Sequence, residues 1–370
     1  MSIQLKLLKL FYRLLRPILF RFDSEYIHDA VTKIGAVCTR SRLIKKIFSA
    51  VFNRRDPALA SRHFNTNFAS PVGLSAGFDY NGYLTGIIPY LGFGFESVGT
   101  VTHSSYAGNP KPRLSRLIKS RSILVNKGFK NDGLKTVLDR IVFNTGFPTG
   151  ISIGATNSPA TSAATAQIAD IIKSFQIINQ DRRFTYFELN VSCPNVLGAG
   201  TLARPDSLET LLSQLDQLSL QKPLVVKMPI DTDWTQTKQL LDIIIQHRVA
   251  AVTIGNLATD RQNPKLNPAE VKKAGPGHFS GKPTWDLSNN LISQTYQAFG
   301  DKLTIIGVGG IFSAADAYEK IKCGASLVQL ITGLIFEGPQ LVAQINQDLA
   351  KLLKKDGFNN ISEVVGSKYK

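Results

Sequence analysis

The chain has 370 residues, a formal net charge of +16 and three cysteines, Cys38, Cys193 and Cys323, far apart and without a CxxC pair. That length holds one large α/β barrel with an extension and does not require a second domain, while the odd, scattered cysteines exclude a disulfide framework and a structural zinc site. No run nears the roughly 20 apolar residues that span a bilayer, and no cleavable leader is visible, so a reducing cytoplasmic setting and no bound metal are expected.

The charge is concentrated at the start. Residues 1–55 carry twelve Lys or Arg against Asp23, Glu25 and Asp29, a net +9, leaving +7 for everything after them. Lys6, Lys9, Arg13 and Arg16 recur at helical spacing, and Leu7, Leu8, Phe11, Leu14, Leu15, Ile18 and Leu19 occupy the remaining surface, which predicts a basic amphipathic helix. Pro17 is expected to end or kink it. Asp23 or Ser24 can cap a second helix carrying Ile27, Val31 and Ile34, and Ser41 a third with Ile44, Ile47, Phe48 and Val51. The apolar faces of the second and third helices are open to packing on the main domain. The first is apolar at too many positions for a solvated face and suits the interface of an anionic membrane. Nucleic acid is disfavoured, because aromatic residues and glycines are not interleaved with the charges.

From Pro71 onward short β-rich runs alternate with helical stretches. Candidate strands are 72–76, 95–99, 150–154, 186–192, 224–228, 250–255, 303–308 and 326–332, with helices predicted over 207–218, 235–246 and 314–322 among others. Eight β/α units predict a (β/α)8 TIM barrel over residues 56–370 with an N-terminal helical extension over 1–55. The rival, a doubly wound open sheet, calls for GxGxxG after the first strand, whereas "GVGGIF" at 307–312 follows the seventh with the wrong spacing.

In a barrel the loops after strands seven and eight form a common phosphate site, and here they read "GVGG" (307–310) and "LITG" (330–333), with Thr332 offering a hydroxyl. Other strand ends supply Thr100, Asn190, Cys193, Asn195, Lys227 and Asn256. A lysine ending a buried strand needs compensation. It comes from an ion pair with Glu188 inside the barrel or from an anionic cofactor. Cys193 is open to two readings, a buried structural thiol or a reactive one.

The segments "SPVGLSAGFDYNG", "SVGTVT", "ELNVSCPN", "VVKM", "FSGKP", "IIGVGGI" and "GASLVQLITGLIFEGP" resemble, in order and spacing, the motifs of the dihydroorotate dehydrogenases. The basic extension resembles the membrane-associated, quinone-dependent class. The resemblance implies FMN-dependent oxidation of dihydroorotate to orotate in pyrimidine synthesis, with quinone as acceptor, by a peripheral protein on the cytoplasmic face of a membrane. Matching positions place FMN on Ala76, Gly77, Thr100, Ser152, Asn190, Lys227, Gly255, Gly281, Gly309, Gly310, Ile331 and Thr332. They place substrate among Tyr80, Asn126, Gly128, Phe129, Asn190, Asn195 and Asn256, with Cys193 as base and Lys227 stabilising charge on the reduced flavin.

Several positions depart from the family pattern. Quinone-dependent members usually carry serine where Cys193 stands, cysteine being typical of the soluble class, so the thiol and the extension point to different classes. Tyr80 stands where a lysine near flavin and substrate is common, "VNKGFKND" (125–132) is one residue short of the usual substrate loop, and Ser152 and Leu257 replace an asparagine and a hydroxyl residue. A related flavin enzyme with another dihydropyrimidine or acceptor, and a membrane-bound barrel without catalysis, are the alternatives these departures leave.

Overall fold

The computed structural model describes residues 3–142 and 144–369. Eight parallel strands close into a barrel and follow one another around it in sequence order. They are β1 (Val72–Leu74), β2 (Phe95–Val101), β3 (Thr149–Ile153), β4 (Tyr186–Asn190), β5 (Leu224–Met228), β6 (Val249–Ile254), β7 (Thr304–Val308) and β8 (Leu327–Leu330). β8 returns to β1 with Val328 opposite Val72 and Leu330 opposite Leu74, which closes the ring. Each of the eight runs expected as a strand forms one, and the open-sheet alternative is excluded. In such a barrel helices cover the outer face of each strand and packed side chains fill the inner one, so the runs are buried on both faces and mostly apolar rather than alternating.

The interior is filled in layers. At the end where the strands begin, Phe68, Phe95 and Tyr186 pack with Val225, Ala251, Ile306 and Leu327. Small residues make room for the rings: a Cβ on Gly73 would stand 2.4 Å from the Phe95 ring, and one on Gly150 2.2 Å from Tyr186. A hairpin of Ser61–His63 and Thr66–Phe68 brings Phe68 to this plug. Above it lies a polar layer in which Gln329 donates to Ser97 (3.0 Å) and Thr253 to Glu188 (3.1 Å), while on the outer face of the barrel Thr149 donates to Glu96 (3.2 Å). Burial pushes the Glu96 carboxyl well above the usual carboxylate range.

The extension folds as three helices, α1 (Ile3–Leu19), α2 (Ser24–Cys38) and α3 (Arg42–Phe52). Asp23 caps α2 by accepting from the Tyr26 N–H at 2.8 Å, and Ser41 caps α3 by accepting from that of Ile44 at 3.3 Å. Pro17 does not end α1, which runs two residues further, with the Phe20 N–H bonded to the Arg16 carbonyl at 2.9 Å. The last turn is fastened from outside. Tyr12 Oη donates to the Ile335 carbonyl at 2.5 Å and Arg16 Nη1 to that of Phe336 at 2.7 Å, so the barrel holds the turn that the proline weakens. Leu5 is buried against Phe52 and Ala343, and Glu25 on α2 accepts from Arg113 (2.9 Å) and Lys130 (2.7 Å) on the barrel side.

Besides the Ser61–Phe68 hairpin, a sheet at the mouth was not anticipated from sequence. Leu114–Leu117, Ser122–Val125 and His278–Phe279 form a three-stranded antiparallel sheet beside the mouth where the barrel strands end. Its third strand comes from the segment after β6, and Ser280 links it to β8 through the Thr332 hydroxyl at 2.8 Å.

Candidate active site

The polar residues that end the strands converge on one cavity. Its wall includes Ala76, Gly77, Tyr80, Thr100, Gly128, Phe129, Asn190, Cys193, Asn195, Lys227, Asn256, Ile331 and Thr332. An adjoining, smaller chamber adds Gly255, Gly281, Gly309 and Gly310 and shares Ala76, Lys227, Asn256, Ile331 and Thr332 with the first. Two of the expected positions lie outside both walls. Ser152 is fully buried behind Thr100, hydroxyl to hydroxyl at 3.1 Å. Asn126 turns to the loop, where its Oδ1 accepts from Asn109 at 2.9 Å.

Lys227 decides between the two ways of compensating a buried ammonium. The Asn190–Lys227 and Glu188–Val225 pairings put Glu188 two residues lower on β4, and its Oε2 accepts from Thr253, so the expected ion pair does not form. The Lys227 ammonium is buried, and its hydrogen bond is to Ser75 Oγ at 3.4 Å. A buried cation without a carboxylate beside it, next to a glycine-walled chamber, fits an anionic group that the chamber would hold. Gly309 (φ 114°) and Gly310 (φ 73°) bring bare backbone to that chamber in a conformation side chains avoid.

Cys193 follows β4 and is partly accessible from the cavity. Burial pushes its thiol up to about 11, against the opposing effects of a hydrogen bond from the Asn195 backbone and the charge of Lys227. The amides around it are organised: Asn190 Nδ2 donates to Thr100 Oγ1 at 2.8 Å, and Asn256 Nδ2 to Ser192 Oγ at 2.6 Å.

The substrate-loop residues are braced by partners that sequence reasoning missed. Asn109 Nδ2 donates to the Asn195 carbonyl (2.9 Å) as well as to Asn126, and Tyr106 Oη donates to Asn109 Oδ1 (2.7 Å). Asn157 Nδ2 donates to the Gly128 carbonyl (3.2 Å), while its Oδ1 accepts from the Leu197 N–H (2.9 Å), tying the two sides of the mouth together. Asn157 lies four residues past the end of β3, in the loop at the mouth, and that placement was the available signal. Asn109 carries none.

One side of the wall is apolar, formed by Leu114, Ile123, Val125, Ile331 and Ile335. It continues outward through a cluster of Ile123, Phe312 and Phe336 against which Phe20, just past α1, packs.

Comparison with known proteins agrees with this geometry. The family model described as dihydroorotate dehydrogenase matches residues 58–353. The chain is 36% identical to the dihydroorotate dehydrogenase (quinone) of Gloeobacter violaceus, over 96% of this chain and 98% of that one. It is 35% identical to that of Trichodesmium erythraeum, over 97% and 99%. The crystal structure of DHODH in complex with ferulenol from Eimeria tenella superposes with a TM-score of 0.84 at 25% identity, covering 94% of this chain and 96% of that one. Relatives along the full length carry the quinone designation, so the extension, and not the cysteine, indicates the class. The chain belongs to the dihydroorotate dehydrogenase family and to its quinone-linked class, FMN-dependent oxidoreductases that convert dihydroorotate to orotate in pyrimidine biosynthesis.

Proposed function

We propose that Cys193 is the base of this reaction and that the residues around it divide between cofactor and substrate. Oxidation of the substrate's C–C bond removes a proton from the carbon beside the ring carbonyl and a hydride from its neighbour. FMN, when bound, is the hydride acceptor. The thiolate of Cys193 takes the proton. Asn190, Asn195 and Asn256 hold the ring's amide edges without adding charge, and Gly128 and Phe129 close over it. Ala76, Gly77, Thr100, Lys227 and Ile331 hold the flavin ring, and Gly255, Gly281, Gly309, Gly310 and Thr332 its phosphate end. The observation that carries this division is that Cys193, the three asparagines and the unpaired Lys227 line one chamber at the strand ends. Anaerobic addition of dihydroorotate should bleach the flavin of the purified protein, and a short-chain quinone should restore its colour. Absence of bleaching by dihydroorotate would overturn the assignment.

Residues 1–55 are proposed as a unit that docks on the cytoplasmic face of an anionic membrane and admits the quinone. Supporting this, Leu7, Phe11 and Leu14 are 60%, 63% and 68% exposed on α1, and Ile34 and Val37 on α2 are 63% and 68% exposed. These side chains do not pack on the barrel, and a water-facing surface this apolar is unfavourable. No helix among the described residues is long and apolar enough to cross a membrane, which favours lying in the interface. Lys6 and Arg13 are free to meet lipid phosphates, whereas Arg16 is occupied by the Phe336 carbonyl. The apolar wall running to Phe20 is the route for the quinone head.

A further inference from the structure

The mouth of the cavity holds a second lysine, in the loop that is one residue short. Lys127 is 8% exposed and lines the main cavity, and its Nζ makes no hydrogen bond. The carboxylates near it are engaged elsewhere. Glu25 is taken by Arg113 and Lys130, and Asp29 accepts from Tyr80 Oη at 3.1 Å and pairs with His28 and Lys130. What Lys127 does have is a ring: its Nζ lies 3.9 Å from the centroid of Tyr80. That ring is fixed by Asp29 and by stacking on His28 at 5.3 Å and 11°. A cation over an aromatic face is held in place but keeps its hydrogen-bond donors for another partner.

Lys127 does not reach the glycine-walled chamber, whereas Lys227 borders both spaces. The two lysines therefore serve different anions. Lys227 belongs to the cofactor end, and Lys127 stands with Gly128, Phe129 and Asn195 at the substrate end. Dihydroorotate and orotate carry one carboxylate on an otherwise neutral ring. We propose that Lys127, poised on the Tyr80 ring, is the residue that binds the substrate carboxylate, so that the cation absent from position 80 is supplied from the loop opposite. The inference rests on dihydroorotate being the substrate.

The surroundings give this a pH signature. Burial, with repulsion from Lys130 and Arg113, brings Lys127 down to about 7 against the pull of Glu25 and Asp29. His28, on the far side of Tyr80, is itself pushed down by burial and is neutral. Substrate binds the ammonium form, so the affinity for orotate should fall about tenfold per pH unit above neutrality, and binding there should take up a proton.

The test is titration of the flavin-loaded protein with orotate and with its uncharged methyl ester, read by the change in flavin absorbance. Lys127→Met should weaken orotate roughly 30-fold or more, leave the ester unchanged, and abolish the pH slope. Lys127→Arg should keep most of the affinity, and Tyr80→Lys added to Lys127→Met should restore part of it. Ligand-free Lys127→Met protein should melt no lower than wild type, because an uncompensated buried charge has been removed. Equal losses for acid and ester, or an unchanged affinity for orotate, would overturn the assignment while leaving the family reading intact. Wild-type protein that binds neither would overturn the substrate reading and the assignment with it.

Discussion

A thiol held near 11 is a base in only a small fraction of molecules, about one in a thousand at pH 8. Flavin reduction by dihydroorotate should therefore quicken about tenfold per pH unit and level off only near the thiol's own value. Stopped-flow reduction from neutral to alkaline pH measures this, and a flat profile would show that Cys193 does not deliver the rate-limiting proton transfer. Cys193→Ala should keep its flavin and reduce it roughly 10²–10⁴-fold more slowly. The same shift affects stability. A group protonated more tightly in the folded state contributes stability that is whole below the unfolded thiol's value, about 8.5, and is lost as pH rises through about 11. The melting temperature of Cys193→Ala should accordingly fall less than that of wild type across this interval. Lys227 acts in the other direction. If the cofactor is the anion that compensates Lys227, whose ammonium pairs with no carboxylate, Lys227→Met should release flavin, seen as free flavin fluorescence after gel filtration.

The strands could be read from the sequence because each is a short, largely apolar run and several of the runs close on Gly, Ser or Thr, and both properties are local. Lys127 was not assignable in that way. "VNKGFKND" offers two lysines, and only the fold shows that Lys130 goes to Glu25 while Lys127 turns inward onto Tyr80. The mouth sheet was hidden for a related reason: Phe279 pairs with Leu124, a partner no local pattern can indicate. The extension shows both cases. Its caps at Asp23 and Ser41 follow from residue type, but its attachment depends on Glu25, which reads as one acid in a basic segment. Burial pushes the Glu25 carboxyl up, yet the hydrogen bonds from Lys130 and Arg113 outweigh this and hold it below the usual range. A depressed carboxylate contributes stability above its unfolded value, about 4.3, and loses it as pH falls further. Glu25→Gln should therefore loosen α2 by about 2 kcal/mol, with faster hydrogen exchange over Ser24–Cys38 and the barrel strands unchanged. Acidification below about pH 4 should reproduce the effect in wild type. Uniform protection in the variant would show that apolar packing alone holds α2.

Taken whole, the molecule separates two kinds of access. Amides and a lysine line the polar side of the cavity, while the apolar wall leads away through Ile123, Phe312 and Phe336 toward Phe20 and the exposed face of α1. If α1 and α2 lie in a lipid interface, a quinone tail can stay in the acyl region while its head enters, and dihydroorotate never crosses that surface. The half-reactions should then be separable by substitution. Leu7, Phe11 and Leu14 are exposed, while the contacts that fasten α1 are made by Leu5, Tyr12 and Arg16, so the first three can be changed without undoing the fold. The triple variant Leu7→Asp, Phe11→Asp, Leu14→Asp should lose co-sedimentation with vesicles of anionic lipid and reduce a long-tailed quinone in those vesicles at least tenfold more slowly, the apolar contribution of three buried side chains being several kcal/mol. Bleaching of its flavin by dihydroorotate should be unchanged, because that step uses the polar side of the cavity, away from the exposed face of α1. Salt should weaken wild-type binding without abolishing it, since Lys6 and Arg13 contribute through screened charge and the leucines do not. A triple variant that binds vesicles and reduces the long-tailed quinone at the wild-type rate would show that this face has another purpose and that the quinone enters elsewhere.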